Sequence, residues 1–223
     1  VNQVTAQAQT AGGAPLAAAR TAHANWWQAF WNRSWIVANE SGSSAAQTVT
    51  NGYTLQRWVN ACAGRGAYPI KFNGSLFTVE TLTNPVQSYN GHCQFDADFR
   101  EWGNPYWTQN TRLMYWTMPA AGDFDLMMPF FKMYMDALPL RKTITRLAFN
   151  HDGAIFPETM EFWGGGPDSD FGRNTGLPPG QTSHGYMQYY PHGALEILNV
   201  MHSYFEFTGD TAFRDSTILP FGK

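Results

Sequence analysis

The sequence predicts an all-α protein in which a pair of helices is the repeating unit. Apolar residues recur at helical spacing in three segments, residues 55–62, 130–137 and 194–205. Two Gly-Asp pairs mark turns between helices: Gly122-Asp123 precedes the second of these segments, and Gly209-Asp210 follows the third. Hydrophobic residues make up 43% of the 223 positions and charged residues only 14%, so the chain has enough apolar surface for a packed core.

The first part of the chain is expected to contribute little to that core. Residues 1–24 are rich in Ala, Thr and Gln, and Gly12, Gly13 and Pro15 interrupt them. We therefore predict an extended lead-in over residues 1–24 and an ordered body over residues 25–223.

A helix and a short β-hairpin are predicted next. One apolar stripe of a helix is formed by residues at i, i+3, i+4 and i+7, namely Leu55, Trp58, Val59 and Cys62. Gly64 is expected to end this helix. The Asn73-Gly74 pair is the preferred turn of a two-residue hairpin, so a β-hairpin is predicted near residues 69–79.

Two helical hairpins are predicted further along the chain. The first has one helix from about Trp107 to Gly122 and a second helix capped by Asp123. One face of that second helix carries Phe130, Met133, Tyr134 and Ala137.

The other helical hairpin begins with a stripe formed by Ala194, Ile197, Leu198, Met201 and Phe205. Gly209 is expected to end this helix, and Asp210 to begin a short helix that carries Phe213. The two Gly-Asp turns, each followed by a Pro-Phe pair, form a weak internal repeat whose unit is one hairpin.

Residues 151–181, between the hairpins, form a long segment rich in Gly and Pro. Segments of this length inside a compact domain are usually functional or disordered. Glu158, Glu161 and Trp163 give it a composition that is poor for disorder, so a functional loop is predicted.

Charge and motifs exclude several classes of function. The net charge is −3 and the Lys and Arg residues are scattered, so no nucleic-acid partner is expected. No apolar run approaches the ~20 residues that span a bilayer, so no membrane partner is expected either. The sequence has neither a phosphate-binding loop nor a complete set of zinc ligands, and we expect no cofactor and no metal.

The stretch from residue 98 to 122 has the composition of a sugar site. Its Trp and Tyr rings alternate with carboxylate, amide and guanidinium groups. Aromatic faces cover the C–H side of a pyranose while the polar groups bind its hydroxyls. The predicted substrate contacts here are Glu101, Trp102, Trp107 and Arg112. A buried aromatic helix with no ligand is the alternative.

Sequons and cysteines bear on the compartment. Asn32, Asn39 and Asn73 each begin an Asn-x-Ser sequon, which suits a secreted and glycosylated chain. Cys62 and Cys93 are the two cysteines of the sequence, and they form either one disulfide or two thiols. We expect an extracellular or periplasmic protein.

Several strings carry a resemblance to known proteins. The order Trp107-Thr-Gln-Asn-Thr-Arg-Leu-Met-Tyr-Trp116, a Gly-Asp turn, then Glu206-Phe-Thr-Gly-Asp210 resembles the six-hairpin, (α/α)6 toroid glycosidases, in particular the inverting α-L-fucosidase family. The strings RSWI, PIKFNG, FREWG and FPETMEFWG are similar to an uncharacterised group of such glycosidase-like domains. The resemblance implies that residues 25–223 are the N-terminal portion of an (α/α)6 toroid.

The resemblance also implies roles for particular residues. In the fucosidase family an Asn ahead of a Tyr-Trp pair helps to hold the catalytic water, and Asn110 precedes Tyr115-Trp116 in this way. Residues 150–158 resemble the Gly-Ala-x-x-Pro segment that precedes the general acid of the toroidal disaccharide phosphorylases.

Inverting hydrolysis of a glycosidic bond needs two carboxyl groups about 6.5–9.5 Å apart. Glu158 and Glu161 are the acid candidates, and their spacing of three would place both on one face if the segment were helical. Phe162 or Trp163 beside them is expected to raise the pKa of one carboxyl by desolvation. The alternative is that both are surface carboxylates.

The remaining predicted contacts lie in or near the same loop. His151 and Asp152 are expected to contact substrate hydroxyls, and Trp163 to form one wall of the site together with Trp102 and Trp107.

Three functions are compatible with these residues. The first is a secreted, exo-acting, inverting glycoside hydrolase that acts on plant, microbial or host glycans. The second is a carbohydrate-binding or structural protein that kept the groove and lost the acid-base pair. The third is a toroidal polysaccharide lyase with a His or Tyr base.

The number of hairpins predicts that the chain is about half of a catalytic domain. Two hairpins are clear, whereas the resembled toroid has six. The chain is then expected to be inactive alone, and to aggregate or bind a remaining C-terminal portion through exposed apolar surface. The fucosidase resemblance places the acid and base beyond residue 223, and the phosphorylase resemblance places the acid within the chain.

Overall fold

Helices dominate the structure, as the apolar spacing predicts. A computed structural model of the chain describes residues 2–13, 15–42, 44–71, 105–166, 176, 190 and 192–223. The helices are α1 (Asn2–Gly12), α2 (Leu16–Trp31), α3 (Ser44–Ala63), α4 (Thr108–Ala121), α5 (Phe124–Phe149), α6 (Gly193–Thr208), α7 (Thr211–Phe213) and α8 (Leu219–Gly222), with a π-helical turn at Arg214–Ile218. A two-stranded sheet pairs β1 (Tyr106–Trp107) with β2 (Thr159–Met160). The all-α class is confirmed for the described residues, and most of the hairpin predicted near 69–79 lies outside them.

The chain divides into two compact units, residues 1–50 and residues 51–223. In the first unit the prediction of an extended lead-in over residues 1–24 is wrong, because α1 and most of α2 occupy that range. Ala, Gln and Leu favour helix strongly enough to form one on each side of the interruption at Gly13 and Pro15. The side chains described before Asn25 are exposed, so this stretch contributes no core.

The second half of α2 is aromatic. The Trp26 ring stacks on Phe30 at a centroid distance of 5.3 Å, and Trp27 stacks on Trp31 at 6.0 Å. Phe30 is fully buried. These side chains lie one helical turn apart, so their contacts stabilise the helix that carries them.

In α3 the predicted end is confirmed and the predicted buried face is wrong. Gly64 donates its backbone N–H to the carbonyl of Asn60 at 2.7 Å, just beyond the end of the helix. The side chains of Leu55, Trp58 and Cys62 are exposed, and those that are buried belong to Arg57, Asn60 and Ala61. A Cβ atom at Gly64 would lie 3.5 Å from Leu126, so small residues let this face approach α5 closely.

A buried ion pair explains why the polar face of α3 points inwards. Arg57 donates from Nε to Oδ2 of Asp123 at 3.0 Å and from Nη2 to Oδ1 at 2.7 Å. Asp123 precedes α5 but makes no side-chain hydrogen bond to that helix, so its predicted capping role is wrong. The need to keep a buried carboxylate paired decides which face of α3 is buried.

The α4–α5 hairpin is confirmed. Gly122 ends α4 at φ 70°, and the backbone N–H of Asp123 donates to Met118 at 3.0 Å. The predicted face of α5 is buried at Phe130, Met133, Tyr134 and Ala137. The Tyr115 ring of α4 lies 4.4 Å from that of Phe130, and its hydroxyl accepts the N–H of Ile70 at 2.9 Å.

The segment after α5 is anchored by a buried arginine. Arg141 donates from Nε to the carbonyl of Ile155 at 2.8 Å and from Nη1 to that of Gly164 at 3.2 Å. Thr145 adds a bond from the N–H of Ile155 to its own Oγ1 at 2.8 Å. Residues 155–164 of the predicted loop are therefore held to the body of α5.

The last turn is also as predicted. Gly209 ends α6 at φ 65°, and Asp210 accepts the N–H of Phe213 at 2.9 Å as the cap of α7. The Phe213 ring packs on Tyr204 at 4.6 Å and on Phe131 of α5 at 4.9 Å. Within the described part of the chain, every helix is too short or too polar to cross a membrane.

Candidate functional site

The short sheet positions the two carboxylates that the sequence singles out. Tyr106 pairs with Met160 and Trp107 with Thr159 in antiparallel register. The backbone N–H of Thr108 donates to the carbonyl of Glu158 at 3.0 Å. Glu158 therefore precedes β2 beside the start of α4, and Glu161 follows β2.

Glu158 and Glu161 would share one face only if the segment between them were helical, and it is not. The residues between them, Thr159 and Met160, form a buried strand. Side chains of an extended strand alternate, so residues three apart point to opposite sides. The environments of the two carboxylates differ accordingly: Glu158 acts electrostatically on Tyr190, and Glu161 on Lys71 and Tyr106.

On one side of β2, Glu158 belongs to a partly desolvated cluster. Burial raises the pKa of Glu158 above its ordinary value of 4.5. Tyr190 is 7% exposed, and its pKa is raised by burial and by the charges of Glu196 and Glu158, and lowered by that of Arg112. Gly193 supports the ring, since a Cβ there would lie 2.7 Å from it.

Arg112 joins this cluster to α6. Its Nη1 forms an ion pair with Glu196, and its guanidinium lies 5.6 Å from the centroid of the Trp116 ring. Arg112 Nε and Tyr190 Oη are buried, and among the described residues neither has a partner in hydrogen-bond geometry. Arg112 approaches Tyr190 closely enough to affect the pKa of the phenol, but this approach falls outside the limits of a satisfied hydrogen bond.

A cavity of about 230 Å³ lies along the same helix pair, beside Arg112. It is lined by Tyr115, Trp116, Asn199, Val200 and Ser203. The Arg112–Glu196 ion pair and the residues that line the cavity join α4 to α6. The groove between them offers an exposed indole face, a side-chain amide and a hydroxyl.

On the other side of β2, Glu161 belongs to a second cluster. Burial lowers the pKa of Lys71, and the charge of Glu161 raises it. The ammonium of Lys71 lies 4.9 Å from the Tyr106 ring centroid. Burial, with the charges of Tyr68 and Glu161, raises the pKa of Tyr106 to about 12. A phenol with that pKa stays protonated near neutral pH.

The other predicted site residues do not join the first cluster. Asn110 is half-buried on α4, two residues before Arg112, which places it about 160° away around the helix. Trp107 is half-buried at the junction of β1 and α4. His151 and Asp152 are exposed, and Asp152 forms an ion pair with Arg146 at the end of α5.

Trp163 and the predicted modification sites are placed as follows. The exposed Trp163 ring covers Gly165, where a Cβ would lie 1.9 Å from it. Asn32 and Asn39 are exposed. Cys62 is an exposed free thiol among the described residues, and Cys93, with which it was predicted to form either a disulfide or two thiols, lies outside them. Four predicted residues lie outside the described ones: Asn73, Cys93, Glu101 and Trp102.

Sequence reasoning missed Tyr190 and Glu196. Glu196, Asn199 and Ser203 lie at i, i+3 and i+7 on α6, a polar stripe that could have indicated a site facing α4. Tyr190 has no such signal, because its position depends on the loop that leads into α6. No group of three metal-ligating side chains occurs within the described ranges.

Comparison with known proteins adds no family to these observations. No family model matches the chain, and neither curated proteins nor solved structures give a match.

Proposed function

We propose that this protein is an inverting glycoside hydrolase whose catalytic centre is the cluster of Glu158, Tyr190, Arg112 and Glu196. The observation that carries the proposal is the difference between its two carboxyl groups. Burial raises the pKa of Glu158, whereas Glu196 forms an ion pair with Arg112. A protonated acid and an ionised base in one site are what inverting hydrolysis requires.

Glu158 is the general acid of this proposal and Glu196 the general base. Glu158 retains its proton to a higher pH than an ordinary carboxyl, so it can protonate the leaving oxygen. Glu196 can accept a proton from water on the opposite face of the sugar. Glu161 is not assigned the acid role, because it faces the ammonium of Lys71.

The groove along α4 and α6 is proposed as the sugar site. Trp116 provides an aromatic face, and Asn199 and Ser203 provide groups that bind hydroxyls. Its volume of about 230 Å³ is below the ~300–1,000 Å³ of pockets for drug-sized ligands, which suits a single terminal ring and exo action.

An (α/α)6 toroid is proposed as the architecture to which this part belongs. The first helices of the two hairpins, α4 and α6, end in similar Gly-Asp turns and pack against each other. Secretion is part of the proposal, and the exposed sequons at Asn32 and Asn39 support it.

A non-catalytic carbohydrate-binding protein is the second candidate. It is favoured by the Arg112–Glu196 ion pair, because the guanidinium occupies a carboxylate oxygen that would have to take the proton from water. A lyase with a tyrosine base receives no support, because the pKa values of Tyr106 and Tyr190 are raised rather than lowered.

The test is hydrolysis of a panel of oligosaccharides and aryl glycosides, with the anomer of the product followed by proton NMR. We expect inverted product from the wild type, contrary to the sequence-based expectation of an inactive chain, because Glu158 and Glu196 both lie within it. Glu158→Gln should lose about 100-fold or more of the activity. That loss should shrink on dinitrophenyl glycosides, whose leaving group needs no acid. Glu161→Gln is the matched control and should keep most of the activity.

Two outcomes separate the candidates. No cleavage by the wild-type protein, together with sugar binding that survives Glu158→Gln, favours the non-catalytic protein. Equal losses in Glu158→Gln and Glu161→Gln contradict the assignment of the acid.

A further inference from the structure

We infer that Tyr190 Oη and Arg112 Nε form a receptor for one oxygen of a neutral sugar, a hydroxyl rather than a carboxylate. The inference rests on the proposed function and names the substrate class of the same site. Both atoms are buried, and among the described residues neither has a partner in hydrogen-bond geometry, although Arg112 approaches the phenol closely enough to lower its pKa.

The cost of these two groups indicates a ligand. A buried donor without a partner costs about 1–3 kcal/mol, so two in one cluster need a physical reason. Arg112 already bonds Glu196 through Nη1, which leaves Nε directed elsewhere. An acceptor oxygen from a ligand would satisfy Nε and Oη together.

The charges of the cluster select a hydroxyl oxygen. Glu158 and Glu196 both act electrostatically on Tyr190, and one cation, Arg112, acts on it as well. A ligand carboxylate would add a further anion to a site in which Glu196 already neutralises Arg112, and like charges repel strongly in partly buried surroundings. A hydroxyl accepts from both donors and can donate its own proton to Glu196.

The adjoining groove fits the rest of such a ring. The guanidinium of Arg112 lies 5.6 Å from the centroid of the Trp116 ring, and Trp116 lines the cavity together with Asn199 and Ser203. A pyranose with one hydroxyl at Tyr190 and Arg112 would lay its C–H face on the indole.

The experiment uses methyl glucoside, methyl galactoside and methyl xyloside, each with the wild-type protein, and the methyl uronosides of glucose and galactose for comparison. Dissociation constants are measured by ligand-observed NMR, and the melting temperature of each variant by calorimetry. We expect a neutral glycoside to bind at least about 10-fold more tightly than the corresponding uronoside.

Tyr190→Phe removes the unsatisfied hydroxyl. It should weaken binding of the neutral glycoside by about 10-fold or more while leaving the melting temperature equal or higher, because no bond is lost in the free protein. Tyr134→Phe is the matched control. The Tyr134 hydroxyl bonds Thr108 Oγ1 at 2.7 Å, so this variant should melt lower and keep its affinity.

Arg112→Lys tests the second donor. It keeps a cation beside Glu196 and removes the Nε–H, so affinity should fall although the ion pair survives. A lower melting temperature in Tyr190→Phe, unchanged affinity in that variant, tighter binding of the uronosides, or no binding of any glycoside would each overturn the inference. Binding that behaves as expected without hydrolysis would overturn only the catalytic proposal.

Discussion

The buried pair of Arg57 and Asp123 makes the sharpest prediction about stability. Arg57 is 3% exposed and Asp123 1%, so water screens neither charge, and the pair is joined by two hydrogen bonds of 3.0 and 2.7 Å. Asp123→Asn removes the anion with little change of volume and leaves the guanidinium charge buried. We expect a loss of about 3–5 kcal/mol in the free energy of unfolding.

A loss of that size is a large part of the total. The free energy of unfolding of a domain is only about 5–15 kcal/mol, so such a loss could leave part of the variant unfolded on warming. The variant and the wild type are therefore compared at low temperature. Urea unfolding followed by tryptophan fluorescence gives both the midpoint and the slope. The slope should stay the same, since the surface exposed on unfolding does not change.

A double variant separates the charge from the packing. Arg57→Met with Asp123→Leu removes both charges and fills the space with apolar groups, so it should cost much less than Asp123→Asn alone. A loss below about 1 kcal/mol in Asp123→Asn, or a double variant as unstable as the single one, would refute the idea that a buried charge pair orients α3.

Three further predictions concern the site and the thiol. Glu158→Gln should match the wild-type stability below pH 4.5 and exceed it above the raised pKa of Glu158, because a carboxyl whose folded pKa is raised stabilises the fold at low pH and loses that contribution as pH rises. The free energies of unfolding of the two proteins are compared at pH 4 and at pH 8. The same difference between variant and wild type at both pH values would contradict the prediction. Gly193→Ala places a Cβ 2.7 Å from the Tyr190 ring, so the free energy of unfolding should fall by about 1–3 kcal/mol and sugar affinity should fall with it. Gly52→Ala is the control: no atom lies within 4 Å of its Cβ, so this variant should be neutral or stabilising. Cys62 should be alkylated by iodoacetamide without prior reduction. The reaction near neutral pH should be slower than that of an unperturbed thiol, because burial raises the pKa of Cys62. An intact mass that shows alkylation only after reduction would indicate a disulfide instead.

Local signals predicted much of the fold. The Gly-Asp turns at 122 and 209 depend on a glycine at positive φ and on a short polar side chain, and both requirements are visible in the sequence. The buried face of α5 follows from apolar spacing alone. The end of α3 at Gly64 is also a local signal and was predictable. The buried face of α3 was not, because it is decided by the pairing of Arg57 with Asp123, 66 residues away in the sequence.

The candidate site was predicted in part. Glu158 was identified from its aromatic neighbourhood, and Arg112 from the mixture of rings and polar groups around it. Their partners, Tyr190 and Glu196, come from a distant loop and helix and carry no local motif. The short strand between Glu158 and Glu161 was missed because two residues are too few for an alternating pattern.

The sequence by itself determined the helical class, the two turns and the residue types suited to a sugar, since each depends on neighbours within one or two helical turns. Tertiary structure alone decided that Glu158 and Glu161 face different surroundings, that Arg112 is paired with Glu196, and that Arg112 Nε and Tyr190 Oη are buried without a hydrogen-bond partner among the described residues. The reason is physical: burial and charge pairing act between residues far apart in the chain, and desolvation sets the pKa of a carboxyl only after the surrounding elements have packed.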